Sequence, residues 1–239
     1  MSVPVRREDS GSLDVSSSDA SLECLDRVEG LGSNCELGFV LRRQGHEKGG
    51  FFRWTAAPIS AVLSLIERDF EDVFRFENLS SLSTRMVRDS SSGVGFHSKM
   101  HSTGSRVREF IESEDRRREI YLVERGKVDH LISKFMERYD APNLVYCVKT
   151  SSPADASMVP ALAQLLSKKR KHKPFRLLHV LQSNDPSLIG VATAVDDVVW
   201  RGHVGWFAPT SKANHADYDA WNSIISICLG QETGRVGRR

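Results

Sequence analysis

The sequence has little cysteine, no long hydrophobic run and no excess of one charge. Four cysteines in 239 residues are too few for a disulfide scaffold. They are Cys24, Cys35, Cys147 and Cys228, and no two have Cys-x-x-Cys spacing. A cysteine-rich zinc site is therefore not expected. The pattern fits a reducing compartment, with each thiol judged singly. The most apolar stretch, Ala56 to Ile66, contains Pro58 and Ser60 and is too short to span a bilayer. With 33 Lys and Arg against 31 Asp and Glu, the chain lacks the basic excess of a dedicated nucleic-acid binder. No phosphate-binding Gly-x-x-x-x-Gly-Lys-Ser/Thr loop is present, no Gly-x-Gly-x-x-Gly follows a strand-like run, and His-Glu-x-x-His is missing. No cofactor and no metal are expected. The basic N-terminus has no apolar segment behind it, so it does not read as a secretory signal. A cytoplasmic protein with neither membrane nor nucleic acid as partner is the expectation, and nothing in the sequence specifies its oligomeric state.

What is present suffices for a globular core, since 40% of the residues are hydrophobic. The Ser, Asp and Gly content of residues 1–21 predicts a flexible leader, and residues 230–239 read as a frayed tail. Between them, 22–229 reads as a single α/β domain.

Cys24 to Leu31 has the look of a short strand closed by Gly32. Ser33 or Asn34 can then cap a helix with Glu36 in its first turn, Arg42 and Arg43 in its last, and Gly45 to end it. A second helix runs from about Pro58 to Phe70, with Pro58 in its first turn. Met86 to Ser92 reads as a polar loop and Gly93 to Met100 as a short strand carrying His97. Charged Glu109 to Glu119 and Val128 to Tyr139 look helical. Asn143 to Lys149 reads as a buried strand, Asp155 to Lys169 as an amphipathic helix, Phe175 to Leu181 as a strand and Val191 to Trp200 as a third. Strand, helix, strand in this order marks a βαβ unit. The expected class is α/β, with a mixed or mostly parallel sheet flanked by helices and a helix-rich N-terminal half.

Cys35 falls in the first turn of its expected helix. Free N–H groups and partial positive charge there favour a thiolate, the arrangement used by thiol nucleophiles paired with a distant His. Spacing alone fits better a small buried thiol behind a helix cap, because free cysteine is commonly buried and inert.

The segments LGSNCELGFVLRRQG, FFRWTAAPISAVLSLIERDFEDVF and GFHSKMH resemble a bacterial family of uncharacterised domains described as papain-like cysteine peptidases. The resemblance covers about Glu29 to His101. The features that carry it are Leu31 to Cys35, Leu41 to Arg43, Phe51 to Trp54, Phe70 to Val73 and Phe96–His97. The C-terminal WRGHVGWFAP and DAW resemble a subgroup from soil and plant-associated bacteria. The resemblance implies Cys35 as nucleophile, His97 as general base and a peptide or amide as substrate. The Cys35 backbone N–H, with Asn34 or Ser33 in support, would form an oxyanion hole. The departure lies in the turn holding Arg53 and Trp54, where the family commonly has Asp in place of Arg53. If that Asp supports the His, this chain has lost the role. The alternative reading is a catalytically inactive accessory or binding protein, linked to polysaccharide or glycosylation pathways by the family's usual company.

Other constellations are weaker. A serine-esterase reading of Ser33 needs a late Asp-x-x-His, and the nearest segment has His215 before Asp217. His97 and His101 could share a metal only on a helix, which the flanking Gly and Ser residues oppose. The basic run Ser167 to Lys173 and the triplet Arg116 to Arg118 read as solvated helix surface. Trp200, Trp206 and Trp221 read as packing residues.

Overall fold

The computed structural model describes residues 22–230. The expected leader 1–21 and most of the expected tail, 231–239, lie outside the described residues. Two sheets organise the chain. Strand β1 (Val28–Gly30) leads through a tight turn into helix α1 (Glu36–Arg43). Strand β2 (Thr55–Ala56) precedes helix α2 (Ile59–Glu67), and strands β3 (Leu79–Ser83), β4 (Met86–Asp89) and β5 (Gly95–His97) follow. A long helix α3 (Glu114–Glu137) connects to strand β6 (Leu144–Lys149). Helices α4 (Pro153–Ala156) and α5 (Val159–Lys169) then lead to β7 (Phe175–Gln182), β8 (Ala192–Ala194), β9 (Val199–Val204) and helix α6 (Tyr218–Leu229).

The larger sheet has the order β1-β6-β7-β9-β8. Its first four strands are parallel and β8 runs antiparallel at the edge. Strand β6 reads LVYCVK and is buried on both faces, as a central parallel strand must be. Val145, Cys147, Leu178, Val180 and Val204 pack on one side with α1 and α6. Leu144, Tyr146, Val148 and Leu177 pack on the other with α2, α3 and α5. This is the α/β arrangement expected, a mostly parallel sheet flanked by helices. Both Cys147 and Cys228 are buried where packing accounts for them, and burial pushes the Cys228 thiol up to about 12.

Among the described residues, the first half of the chain is not clearly helix-rich. Between α1 and α3 it forms a second, antiparallel sheet of order β2-β5-β4-β3. Met86 to Asp89, expected as loop, is a strand of it. Its alternation is masked in the sequence because an acid, Asp89, is buried beside Val87 on the inward face while Arg88 faces out. Other boundaries shift as well. Residues 22–25 form a helical turn, so Cys24 precedes the strand rather than beginning it. The two expected charged helices are one helix, α3, which starts at Ser113, whose Oγ accepts from the Arg116 N–H. The stretch expected as a third strand splits into the β8–β9 hairpin arm.

A cluster of phenylalanines joins the two sheets. Phe51, Phe52, Phe70, Phe74, Phe96 and Phe135 meet mostly edge to face, the geometry that ring quadrupoles favour. Phe70 and Phe74 reach it from left-handed backbone, with φ of 61° and 57°. Such a conformation costs roughly 1–2 kcal/mol for each L-residue. Burial of each ring recovers about 1.5–3 kcal/mol, and the Phe74 N–H donates to the fully buried Asp89 carboxylate at 3.1 Å. Phe74 packs 4.9 Å from Phe96, which fixes β5 and the residue after it, His97.

Candidate active site

The turn between β1 and α1 decides where Cys35 sits. Leu31 still donates its N–H to Cys147 at 2.8 Å, in the manner of a strand. Gly32 and Ser33 then take φ of 75° and 76°, reversing the chain in two residues. A Cβ on Gly32 would lie 2.6 Å from the Ala57 carbonyl oxygen, so only glycine fits. The Ser33 N–H donates to that same oxygen at 2.6 Å. Asn34 Oδ1 accepts the Glu36 N–H at 3.1 Å and Asn34 Nδ2 donates to the Ala208 carbonyl at 3.3 Å. Cys35 is itself the N-cap residue of α1 and makes no side-chain cap bond, so Asn34, one residue earlier, satisfies the first helical N–H and ties the turn to the loop after β9. At the far end Gly45, with φ of 84°, and His46 return their N–H groups to Arg42 and Leu41, closing the helix with a Schellman motif.

This geometry holds Cys35 Sγ 3.6 Å from His97 Nε2, across 62 residues of sequence. The thiol is half-buried and the imidazole exposed. Among the described residues, no side chain or carbonyl is hydrogen-bonded to the other ring nitrogen of His97, so the pair has no third member there. The Cys35 backbone N–H likewise has no acceptor among them. Burial pushes the Cys35 thiol above its ordinary value, and the nearby Lys149 ammonium pulls it back. The helix start alone does not make this thiol acidic.

Lys149 was not singled out by the sequence. It ends β6 and pairs with Glu36, whose side chain is fully buried. Glu36 also accepts from Trp221 Nε1 at 2.9 Å. Read as sequence, Glu36 was a helix-start acid and Trp221 a packing residue. The available signal was the Lys that closes an otherwise apolar strand, because charged groups at the carboxyl ends of parallel strands commonly serve a site.

Arg53 does not contact His97. Its guanidinium is buried and donates to the carbonyls of Gly38, Lys48 and His46 at 3.1, 2.5 and 2.6 Å, and lies 3.0 Å from His46 Nδ1. It braces the 46–48 loop against α1. Trp54 stands closer to the site, packed against Phe39 with ring centroids 5.2 Å apart and lining one groove together with His97.

Two depressions flank the pair. A groove of about 400 Å³ runs from His97 along Trp54, Phe96, Val128 and Leu131. A crevice of about 600 Å³ is lined by Ser33, Asn34, Lys149, Thr150 and Phe207. The crevice lies at the carboxyl ends of β1 and β6. The helix after β1 packs on one face of the sheet and the helix after β6 on the other. That divergence opens a ligand-sized gap in α/β sheets.

The remaining expectations are placed as follows. His101 is exposed and faces Glu112 at 3.4 Å. Asp217 caps α6 and accepts the Gly205 N–H at 2.7 Å, a structural role. The basic run is not wholly solvated, since Arg170 is 1% exposed and donates to the Arg138, Ala141 and Pro174 carbonyls. Arg116 and Arg118 pair with Glu119 and Glu114 along the helix surface. Among the described residues no three His, Cys, Asp or Glu side chains converge as a metal site, and no helix is long and apolar enough to cross a membrane. No family model, curated protein or solved structure matches this chain.

Proposed function

We propose that the chain is a thiol hydrolase of papain-like chemistry, acting on a peptide or amide. The observation that carries this reading is the 3.6 Å approach of Cys35 Sγ to His97 Nε2, within reach of a proton transfer that tightens when substrate binds. His97 takes the thiol proton as sulfur attacks the substrate carbonyl carbon. The resulting oxyanion has the Cys35 backbone N–H to receive it. Collapse breaks the C–N bond, and the imidazolium returns its proton to the departing amine. Water, deprotonated by His97, then attacks the thioester carbon and releases the acid and the free thiol.

Alkylation by iodoacetamide across pH, in wild type and His97→Ala and followed by intact mass, tests the pair. The expected result is His97-dependent labelling of Cys35 that slows at neutral pH in the variant. An ordinary thiol profile, the same in both proteins, overturns the reading. A second reading, a binding protein without turnover, draws on the missing partner for the far nitrogen of His97. It predicts that same unactivated profile.

A further inference from the structure

We propose that the substrate carries a large apolar side chain beside the scissile bond, flanked by carboxylates, and that the groove next to His97 receives it; this rests on the thiol-hydrolase reading of Cys35. The groove begins at one member of the reacting pair. Its walls are aromatic and aliphatic, with Trp54, Phe74 and Phe96 on one side and Val128 and Leu131 from α3 on the other. A space of about 400 Å³ takes one Phe- or Leu-sized side chain with its adjoining backbone. Water held against such walls is readily displaced by an apolar group.

The rim supplies the second half of the argument. Arg85, Lys99, Lys127 and Glu124 surround the groove. Glu124 is already engaged, accepting the Ser98 hydroxyl and the Lys99 N–H, each at 2.7 Å. Among the described residues, the side chains of Arg85, Lys99 and Lys127 have no carboxylate partner. An apolar floor under a cationic rim is complementary to an apolar residue with acidic neighbours.

Four iodoacetyl probes test this: iodoacetyl-glycine amide, iodoacetyl-phenylalanine amide, and the latter extended by aspartate or by lysine. In each, the Cys35 thiolate displaces iodide from the CH₂ carbon and a C–S bond forms, while His97 retains the thiol proton. The phenylalanine probe is expected to alkylate Cys35 at least about tenfold faster than the glycine probe at limiting concentration. The aspartate extension should outpace the lysine extension by about three- to fivefold, an advantage that shrinks with salt. Leu131→Glu should collapse the phenylalanine-to-glycine ratio, and Leu131→Ala should reduce it if the glutamate variant does not fold. Lys127→Glu, on the exposed rim, should erase the aspartate preference. Equal rates for phenylalanine and glycine probes at a His97-dependent thiol overturn the groove assignment and leave the hydrolase reading standing. A phenylalanine advantage that persists in the folded Leu131 variants overturns it as well. A preference for the lysine extension overturns the acidic flank. A thiol indifferent to His97→Ala removes the hydrolase reading, and the substrate assignment with it.

Discussion

Lys149 and Glu36 form a closed ion pair across 113 residues of sequence, one residue along from the thiol. The carboxylate is wholly buried and the lysine side chain is 9% exposed. The pair thus holds a cation near Cys35 while neutralising part of its field. Replacing either member should move the thiol in opposite directions. Lys149→Met removes the charge that pulls the thiol down, so the midpoint of its alkylation profile rises. Glu36→Gln frees the lysine charge, so the midpoint falls. Each variant also breaks a buried pair and should lose about 3–5 kcal/mol in urea unfolding. Movement of both midpoints in the same direction would refute the electrostatic assignment.

Gly32→Ala tests the turn. The new methyl would meet the Ala57 carbonyl oxygen at 2.6 Å on a backbone with φ of 75°. A loss of about 2 kcal/mol or more is expected from strain and displacement together. Slower Cys35 alkylation should accompany it, because the residue after next but one carries the thiol. Denaturant midpoints and labelling rates measured on one sample check both.

Arg53→Asp places a carboxylate in the turn before Trp54. It should not raise reactivity. Four contacts of the guanidinium lie with the 46–48 loop and α1, and a carboxylate there would face the buried Glu29. Loss of several kcal/mol is expected from unpaired buried carbonyls and a second buried acid. Faster Cys35 alkylation in a folded Arg53→Asp protein would overturn the assignment of Arg53 as a brace.

Two buried groups shape stability with pH in opposite senses. Burial pushes the Glu29 carboxyl up to about 7 from 4.5, against the pull of Arg138, Lys134 and Arg53. The folded chain then binds more protons than the unfolded one between pH 4.5 and 7. Its contribution is fully present below pH 4.5 and declines by roughly 3 kcal/mol as pH rises through that window. Burial, with Arg201 and His203, pushes His179 down to about 4 from 6.5. Its contribution is present above pH 6.5 and is lost as pH falls toward 4. The two slopes offset each other in wild type. Glu29→Gln should expose a stability that climbs from pH 4 to 6.5, and His179→Gln one that falls from pH 4.5 to 7. Urea melts at half-unit pH intervals distinguish these profiles, and identical profiles in all three proteins would refute the assignment.

The parallel core was legible because strands such as Leu144–Lys149 and Phe175–Gln182 carry apolar runs too long for loops and too short for helices. The bounds of α1 were legible from Asn34 at its start and Arg42, Arg43 and Gly45 at its end, each a local signal. The antiparallel sheet was not, because LSSLS and MVRD are short, polar and stabilised by one another rather than by their own pattern. Cys35 and His97 could be nominated from chemistry and resemblance, and their separation is a tertiary fact that no spacing encodes. Lys149, Glu36 and Trp221 come from three distant elements, so no local motif announces their meeting. Arg53 showed the converse. It stands in the aromatic turn near the thiol, while its contacts are those of a brace.

Strand β1 has three residues and borders the sheet, hydrogen-bonded to β6 alone. The Cys35 turn therefore hangs from a short edge rung of the ladder. Opening that rung disrupts few backbone bonds and leaves the β6–β7–β9 centre intact. Amides at Leu31 and Ser33 should exchange with solvent deuterium well before those of Tyr146 or Leu178. The Cys35 turn is thus expected to loosen before the sheet centre melts.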